Sequence, residues 1–161
     1  MFRRYLQSGF CYATDTVHKI KIVLRYATND IKQHSFDGVK CYGKLVHVYD
    51  GDTFKAVVYN KGQIQKLTFR PVGYDTPEMR PPRDLPDKET HIAKAHEARR
   101  HFITLCGGID SYIFLRCGPF DKYGRVLVQL YRRRCAERSI NDMMLDSGLA
   151  KVYTEGKKTT R

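Results

Sequence analysis

Acidic residues are in short supply: 17 Asp and Glu face 29 Lys and Arg, for a formal charge of +12. So large a positive balance favours polyanionic partners, nucleic acid first and an anionic membrane surface second. Long apolar runs are missing too. No stretch approaches the length of a membrane span, and no membrane partner is expected. Residues 1–14 lack the apolar centre of a secretory signal, which points to an intracellular protein. Arg3, Arg4 and Ser8, with no acid before Asp15, leave an organelle presequence open. Cysteine is sparse: Cys11, Cys41, Cys106, Cys117 and Cys135 are odd in number and form no C-x-x-C pair. That argues against a disulfide framework or zinc ribbon and for free thiols. Internal repeats and low-complexity segments are absent. What is present, 161 residues at 42% hydrophobic and 29% charged, suits one domain with an arm and a real core.

Residues 1–36 read as an N-terminal extension of open role. Within it Val17 to Tyr26 begins with strand-like alternation, and Asn29-Asp30 suggests a turn. Residues 37–154 read as the folded domain and 155–161 as a basic tail. Val39–Tyr49, Phe54–Tyr59 and Ile64–Val72 have strand character, and Ile64, Leu67 and Phe69 mark a buried face. Asp50-Gly51 and Asn60-Lys61-Gly62 punctuate them as turns, the Asp-Gly turn with its glycine at positive φ. Two hairpins in succession make an antiparallel meander. Met79–Lys88 is a proline-rich, basic loop. Thr90–Cys106 reads as a helix, with Ile92, Ala95, Arg99, Phe102 and Cys106 at spacings of three and four and Gly107-Gly108 ending it. Ser111–Cys117 and Val126–Tyr131 are further strands, and Ser139 with Asp142 caps a short helix reaching Gly148. The expected fold is therefore mainly β with α (α+β). Five strands form an OB-fold Greek-key barrel with two helices, plus the extension.

Three stretches carry chemistry. Arg70 to Glu78 offers one guanidinium, two carboxylates and a turn able to aim backbone carbonyls, and Thr76-Pro77 stops regular structure there. Asp50-Gly51-Asp52-Thr53 adds carboxylates on a turn. Asp121-Lys122-Tyr123-Gly124-Arg125 adds a second guanidinium ahead of a strand. Each alone is an ordinary turn sequence. In combination, Asp52 and Asp75 are carboxylates of the kind calcium or magnesium prefers, and the carbonyl of Thr76 can add a third oxygen. Arg70 and Arg125 can grip phosphate in bidentate fashion, which lysine cannot imitate.

In this order, and with Gly148-Leu149-Ala150 closing the set, the motifs resemble those of the thermonuclease family, the staphylococcal-type nucleases. The resemblance covers residues 38 to 153. It implies a single Ca2+ held by Asp52, Asp75 and Thr76, with Asp50 behind them rather than bonded to the ion, and Mg2+ or another divalent cation as the variation. It implies Arg70 and Arg125 on the phosphate and Glu78 orienting or deprotonating the attacking water. Lys122 and Tyr123 match positions flanking the bound nucleotide's terminal phosphate, and Tyr153 falls where family members carry base-stacking tyrosines. Here the ending has one tyrosine before Thr154 rather than a spaced pair, and the family's final helix is expected to be missing. The implied activity is hydrolysis of DNA, RNA or both, leaving 3′-phosphate ends with little base preference. A monomer is expected, and no protein partner is legible. The alternative is a non-catalytic OB-fold module that binds nucleic acid, since such barrels often bind without cutting.

Two further patterns are set aside. His96 and His101 approximate a zinc-protease motif, but five residues on a helix turn them some 140° apart, at about 100° per residue. The run Arg132-Arg133-Arg134 is either a nucleic-acid or localisation patch or a solvated turn.

Overall fold

The structure, a computed structural model, describes residues 16–82 and 84–153. The presequence-like N-terminus, Cys11, Arg83 and the basic tail lie outside the described residues. Two compact units divide the chain between His34 and Ser35. In the first, residues 16–25 form a helix, α1, where the alternation predicts a strand. That alternation, His18-Lys19-Ile20-Lys21-Ile22, coexists with Val17, Ile20 and Leu24 at spacings of three and four. The helical period prevails because a helix satisfies its backbone within itself, whereas a strand needs a neighbour to pair with. The extension thus adds a third helix to the two expected.

The second unit is built on five strands: β1 (Lys40–Asp50), β2 (Thr53–Asn60), β3 (Gln63–Pro71), β5 (Tyr112–Phe120) and β6 (Val126–Tyr131). They close into a barrel in the order β1-β2-β3-β6-β5. Every pairing is antiparallel except β3 with β6, which run parallel through Phe69–Val126, Arg70–Leu127 and Pro71–Val128. That one parallel seam closes the barrel and sets Arg125, just ahead of Val126, beside the end of β3 that carries Arg70. Helix α2 (Lys88–Cys106) lies between β5 and the earlier strands in sequence, and α3 (Ile140–Asp146) follows β6.

Inward residues of the strands make the core, with Leu45, Phe54, Phe69, Leu115 and Leu130 fully buried. Helix α2 covers it with Ala95, Ala98, Phe102 and Cys106. Phe54 stacks on Phe69 and packs against Phe102, ring centres 5.3 and 5.5 Å apart. Burial pushes the Cys106 thiol up to about 12, so this cysteine acts as a core residue. The expected buried face of β3 holds at Phe69 but not at Ile64, which sits at the hairpin tip opposite Tyr59, both exposed.

Two irregularities aim the site. Opposite β2, β1 carries an extra residue at Val46 and another at Tyr49. Strict alternation from Leu45 would send His47 and Tyr49 inward. The first bulge shifts the phase, so that Val48 and Asp50 turn in instead. Beyond β3 the chain turns through Gly73, at φ 87°, into a two-residue strand, β4 (Tyr74–Asp75), which pairs with β7 (Lys151–Val152). This small sheet ties the Gly-Leu-Ala ending to the Asp75 segment.

Asn141 fastens the same region. It is buried in the first turn of α3, whose Ser139 and Asp142 form the expected capping box. Its Oδ1 accepts from the Leu130 backbone N–H at 2.9 Å, and its Nδ2 donates to the carbonyls of Val72 at 2.9 Å and Val128 at 3.3 Å. Asn141→Ala strands a buried donor and buried acceptors, and is expected to cost about 2–3 kcal/mol, read as a lower urea midpoint.

Candidate active site

The Asp50-Gly51-Asp52 turn, at the β1–β2 corner, is almost wholly buried. Its glycine is not at positive φ, contrary to the hairpin expectation. The reason for glycine is contact: a Cβ there would lie 2.6 Å from Thr76 Cγ2. Gly51→Ala is therefore expected to force the two motifs apart and destabilise by about 1–3 kcal/mol, measured by thermal unfolding. The Tyr74 hydroxyl donates to the Gly51 carbonyl at 2.9 Å and pins the turn from below. Burial, then the Asp52 charge, raises that phenol well above its ordinary range, so it remains a neutral donor.

Asp52 is the hub. One oxygen accepts the Thr76 backbone N–H at 2.9 Å. The other takes the Thr53 hydroxyl at 3.0 Å and Arg70 Nη1 at 2.8 Å. The second Arg70 nitrogen, Nη2, pairs with Asp75. Arg70 thus bridges the two carboxylates assigned to the metal, and its guanidinium also lies 5.7 Å from the Tyr153 ring centre. Asp50 accepts the Asp52 backbone N–H at 3.1 Å. Burial, reinforced by the neighbouring Asp52 charge, pushes the Asp50 carboxyl up to about 7.

The third motif is a turn organised by Asp121. Its Oδ1 accepts the backbone N–H groups of Tyr123 and Arg125, and its Oδ2 pairs with Arg125 Nε at 2.7 Å. Partial burial opposes the charge of Asp121, but those three donors together hold its carboxyl below the usual range. Arg125 reaches across to the Thr53 hydroxyl with Nη1, at 3.2 Å, linking the third motif to the first. Lys122 Nζ and the Arg125 guanidinium lie 4.9 and 5.3 Å from the Tyr123 ring centre.

The three motifs open onto one cleft of about 810 Å3. All ten residues singled out in the sequence line it: Asp50, Asp52, Arg70, Asp75, Thr76, Glu78, Lys122, Tyr123, Arg125 and Tyr153. Glu78 is exposed at its mouth, and no hydrogen bond or ion pair engages its carboxylate among the described residues. No group of three or more His, Cys, Asp or Glu suited to a metal occurs among the described residues. Four carboxylates line the cleft, Asp50, Asp52, Asp75 and Glu78, and two of them, Asp52 and Asp75, are paired with Arg70. His96, exposed, and His101, partly buried, sit on α2 away from it, and Arg132 donates to the Tyr112 carbonyl.

Three contributors were not read from the sequence. Asp121 organises the Arg125 turn, and its signal is an Asp whose side chain can cap a following Lys-Tyr-Gly turn. Arg99 on α2 donates to the Val48 carbonyl at 2.9 Å, steadying β1 just before the first motif. Tyr74 lies inside the Arg70–Glu78 stretch, and its place beneath the Gly51 turn depends on a contact 23 positions away.

No helix among the described residues is long and apolar enough to cross a membrane. A comparison with curated proteins gave no match. The family model of staphylococcal nuclease homologues matches residues 68–161, more than half of the chain. The match takes in Arg70, Asp75, Glu78 and Arg125, while Asp50 and Asp52 are joined to them by the contacts just described. Motifs, barrel and family match agree, and the chain belongs to the staphylococcal nuclease homologue family.

Proposed function

We propose that the chain is a metal-dependent phosphodiesterase that hydrolyses DNA, RNA or both with little base preference. The observation that carries this reading is the single cleft in which Arg70 and Arg125 face the carboxylates of Asp50, Asp52, Asp75 and Glu78. A site that only bound nucleic acid would gain nothing from four carboxylates, which repel the phosphate backbone.

The roles follow from charge and position. Arg70 and Arg125 donate to the oxygens of the scissile phosphate, stabilising the charge that grows there. Glu78, exposed and without a partner among the described residues, orients a water and accepts its proton as the oxygen attacks phosphorus. Attack breaks the bond between phosphorus and the 5′-oxygen, which takes a proton from solvent and leaves as a 5′-hydroxyl, and the other product carries a 3′-phosphate end. Asp52, Asp75 and the Thr76 carbonyl form an all-oxygen donor set that fits a hard divalent cation, Ca2+ first and Mg2+ second, with Asp50 behind them. When bound, such an ion supplies positive charge against the phosphate's own. Lys122 meets a neighbouring phosphate, and Tyr123 and Tyr153 offer ring faces to bases, contacts that carry little sequence information.

The test is incubation of purified protein with single-stranded DNA and with RNA, in calcium, in magnesium and in EGTA at constant salt. Degradation that requires the cation is the expected result. Intact substrate that shifts on a native gel would instead make the chain a binding module.

A further inference from the structure

Beside the phosphate cleft lies a second cavity of about 560 Å3, which none of the roles above uses. Both cavities share the segment Asp75, Thr76 and Glu78, so the wall between them is the carboxylate assigned to water activation. The character of the second is different. Pro77, Pro81, Pro82, Leu85 and Leu149 give it apolar walls, and one face of α2 adds His91, Lys94 and Glu97 along its edge. Those three recur every third residue, so each neighbouring pair shares a side of the helix while His91 and Glu97 lie about 120° apart, at the two margins of the cavity. Apolar flanks between polar groups on α2, on the shared Asp75–Glu78 segment and at Lys151, at this volume, are the make-up of a site for a flat organic ligand rather than for phosphate alone.

We infer that this cavity receives the nucleobase next to the scissile phosphate on the Glu78 side of the cleft. The inference rests on the phosphodiesterase reading and extends it. A strand whose phosphate lies between Arg70 and Arg125 must leave the cleft in two directions. Towards the Asp121 turn it meets Lys122 and Tyr123; past Glu78 it meets the proline-walled slot. Proline and leucine faces pack against either surface of a base whatever its identity. Lys94, exposed on the rim, can pair with the next phosphate, and His91 and Glu97 offer a donor and an acceptor to the base edge. The slot would therefore hold the part of the strand that passes Glu78 in line without imposing strong sequence choice.

The experiment uses short oligothymidylates with one cleavable linkage, the others being blocked, and an abasic residue on one side or the other of that linkage. In the wild type, loss of the base on the slot side should lower kcat/KM by about 5- to 150-fold, the range of one stacked base. Leu85→Trp, which fills the slot, should lower kcat/KM on the intact substrate by a similar factor and leave the slot-side abasic substrate unaffected. Pro82→Gly, on an exposed loop, tests the same wall should the tryptophan variant fail to fold. Equal sensitivity of wild type and variants to the missing base would overturn the inference while leaving the nuclease intact. If the wild type cleaves nothing in any cation, the phosphodiesterase reading fails on its own. The slot is then judged by fluorescence polarisation with the same oligonucleotides. There, base loss must weaken wild-type binding and not that of the variants, or the inference falls too.

Discussion

Glu78→Gln is expected to lower the turnover of single-stranded DNA or RNA by on the order of 100- to 10,000-fold while leaving nucleic-acid binding in place. Glutamine keeps the size and the hydrogen-bonding reach of the side chain but cannot take a proton from water. Glu78 is exposed and makes no ion pair among the described residues, so the exchange removes no structural contact. Unfolding temperature should be unchanged, and that control separates chemistry from folding. Arg125→Ala differs in kind. Its guanidinium also holds Asp121 and reaches Thr53, so that variant loosens the turn as well as the phosphate contact. Full cleavage by Glu78→Gln, with calcium present and binding normal, would remove Glu78 from the catalytic set.

The barrel was legible because its signals are local. Alternation marks the strands, a capping box marks α3, and glycines end α2. That ten residues named from the motifs line one cleft was legible because the motifs sit at strand ends, where a resemblance can be read residue by residue. What escaped depends on residues far apart in the chain. β4 and β7 are two residues each, and neither Tyr74-Asp75 nor Lys151-Val152 has any strand pattern; only their pairing makes them strands. Gly51 looked like a turn glycine, yet its reason is Thr76, 25 positions on, packed against its backbone. Asn141 left a faint signal, a polar residue three before Met144 on the apolar face of a short helix. Its partners, in β6 and the chain leaving β3, could not be foreseen. In α1, two periodicities overlap in ten residues and composition does not rank them.

Asp50→Asn is expected to make the metal-free protein more stable at pH 8 than the wild type, by about 2 kcal/mol against a ceiling of about 4. In the unfolded chain the Asp50 carboxyl ionises near its ordinary 3.8, while in the fold burial beside Asp52 moves it to about 7. Between those values the folded state binds the extra proton, so its stability falls as pH rises through this window. Below pH 4 both states are protonated and the group contributes its full share; above 7 that share is gone. Asparagine carries no charge at any pH, yet its carbonyl can still accept the Asp52 backbone N–H that Asp50 accepts at 3.1 Å. Wild type and variant should therefore have urea midpoints, in EGTA, that coincide near pH 4 and separate steadily towards pH 8. Parallel curves would show that Asp50 ionises in the fold as freely as in water. The ceiling is reduced because water reaches the turn from the cleft. A carboxyl that weakens the fold at neutral pH is the kind of residue retained for a charge the site needs, so the stabilised variant should also lose cleavage.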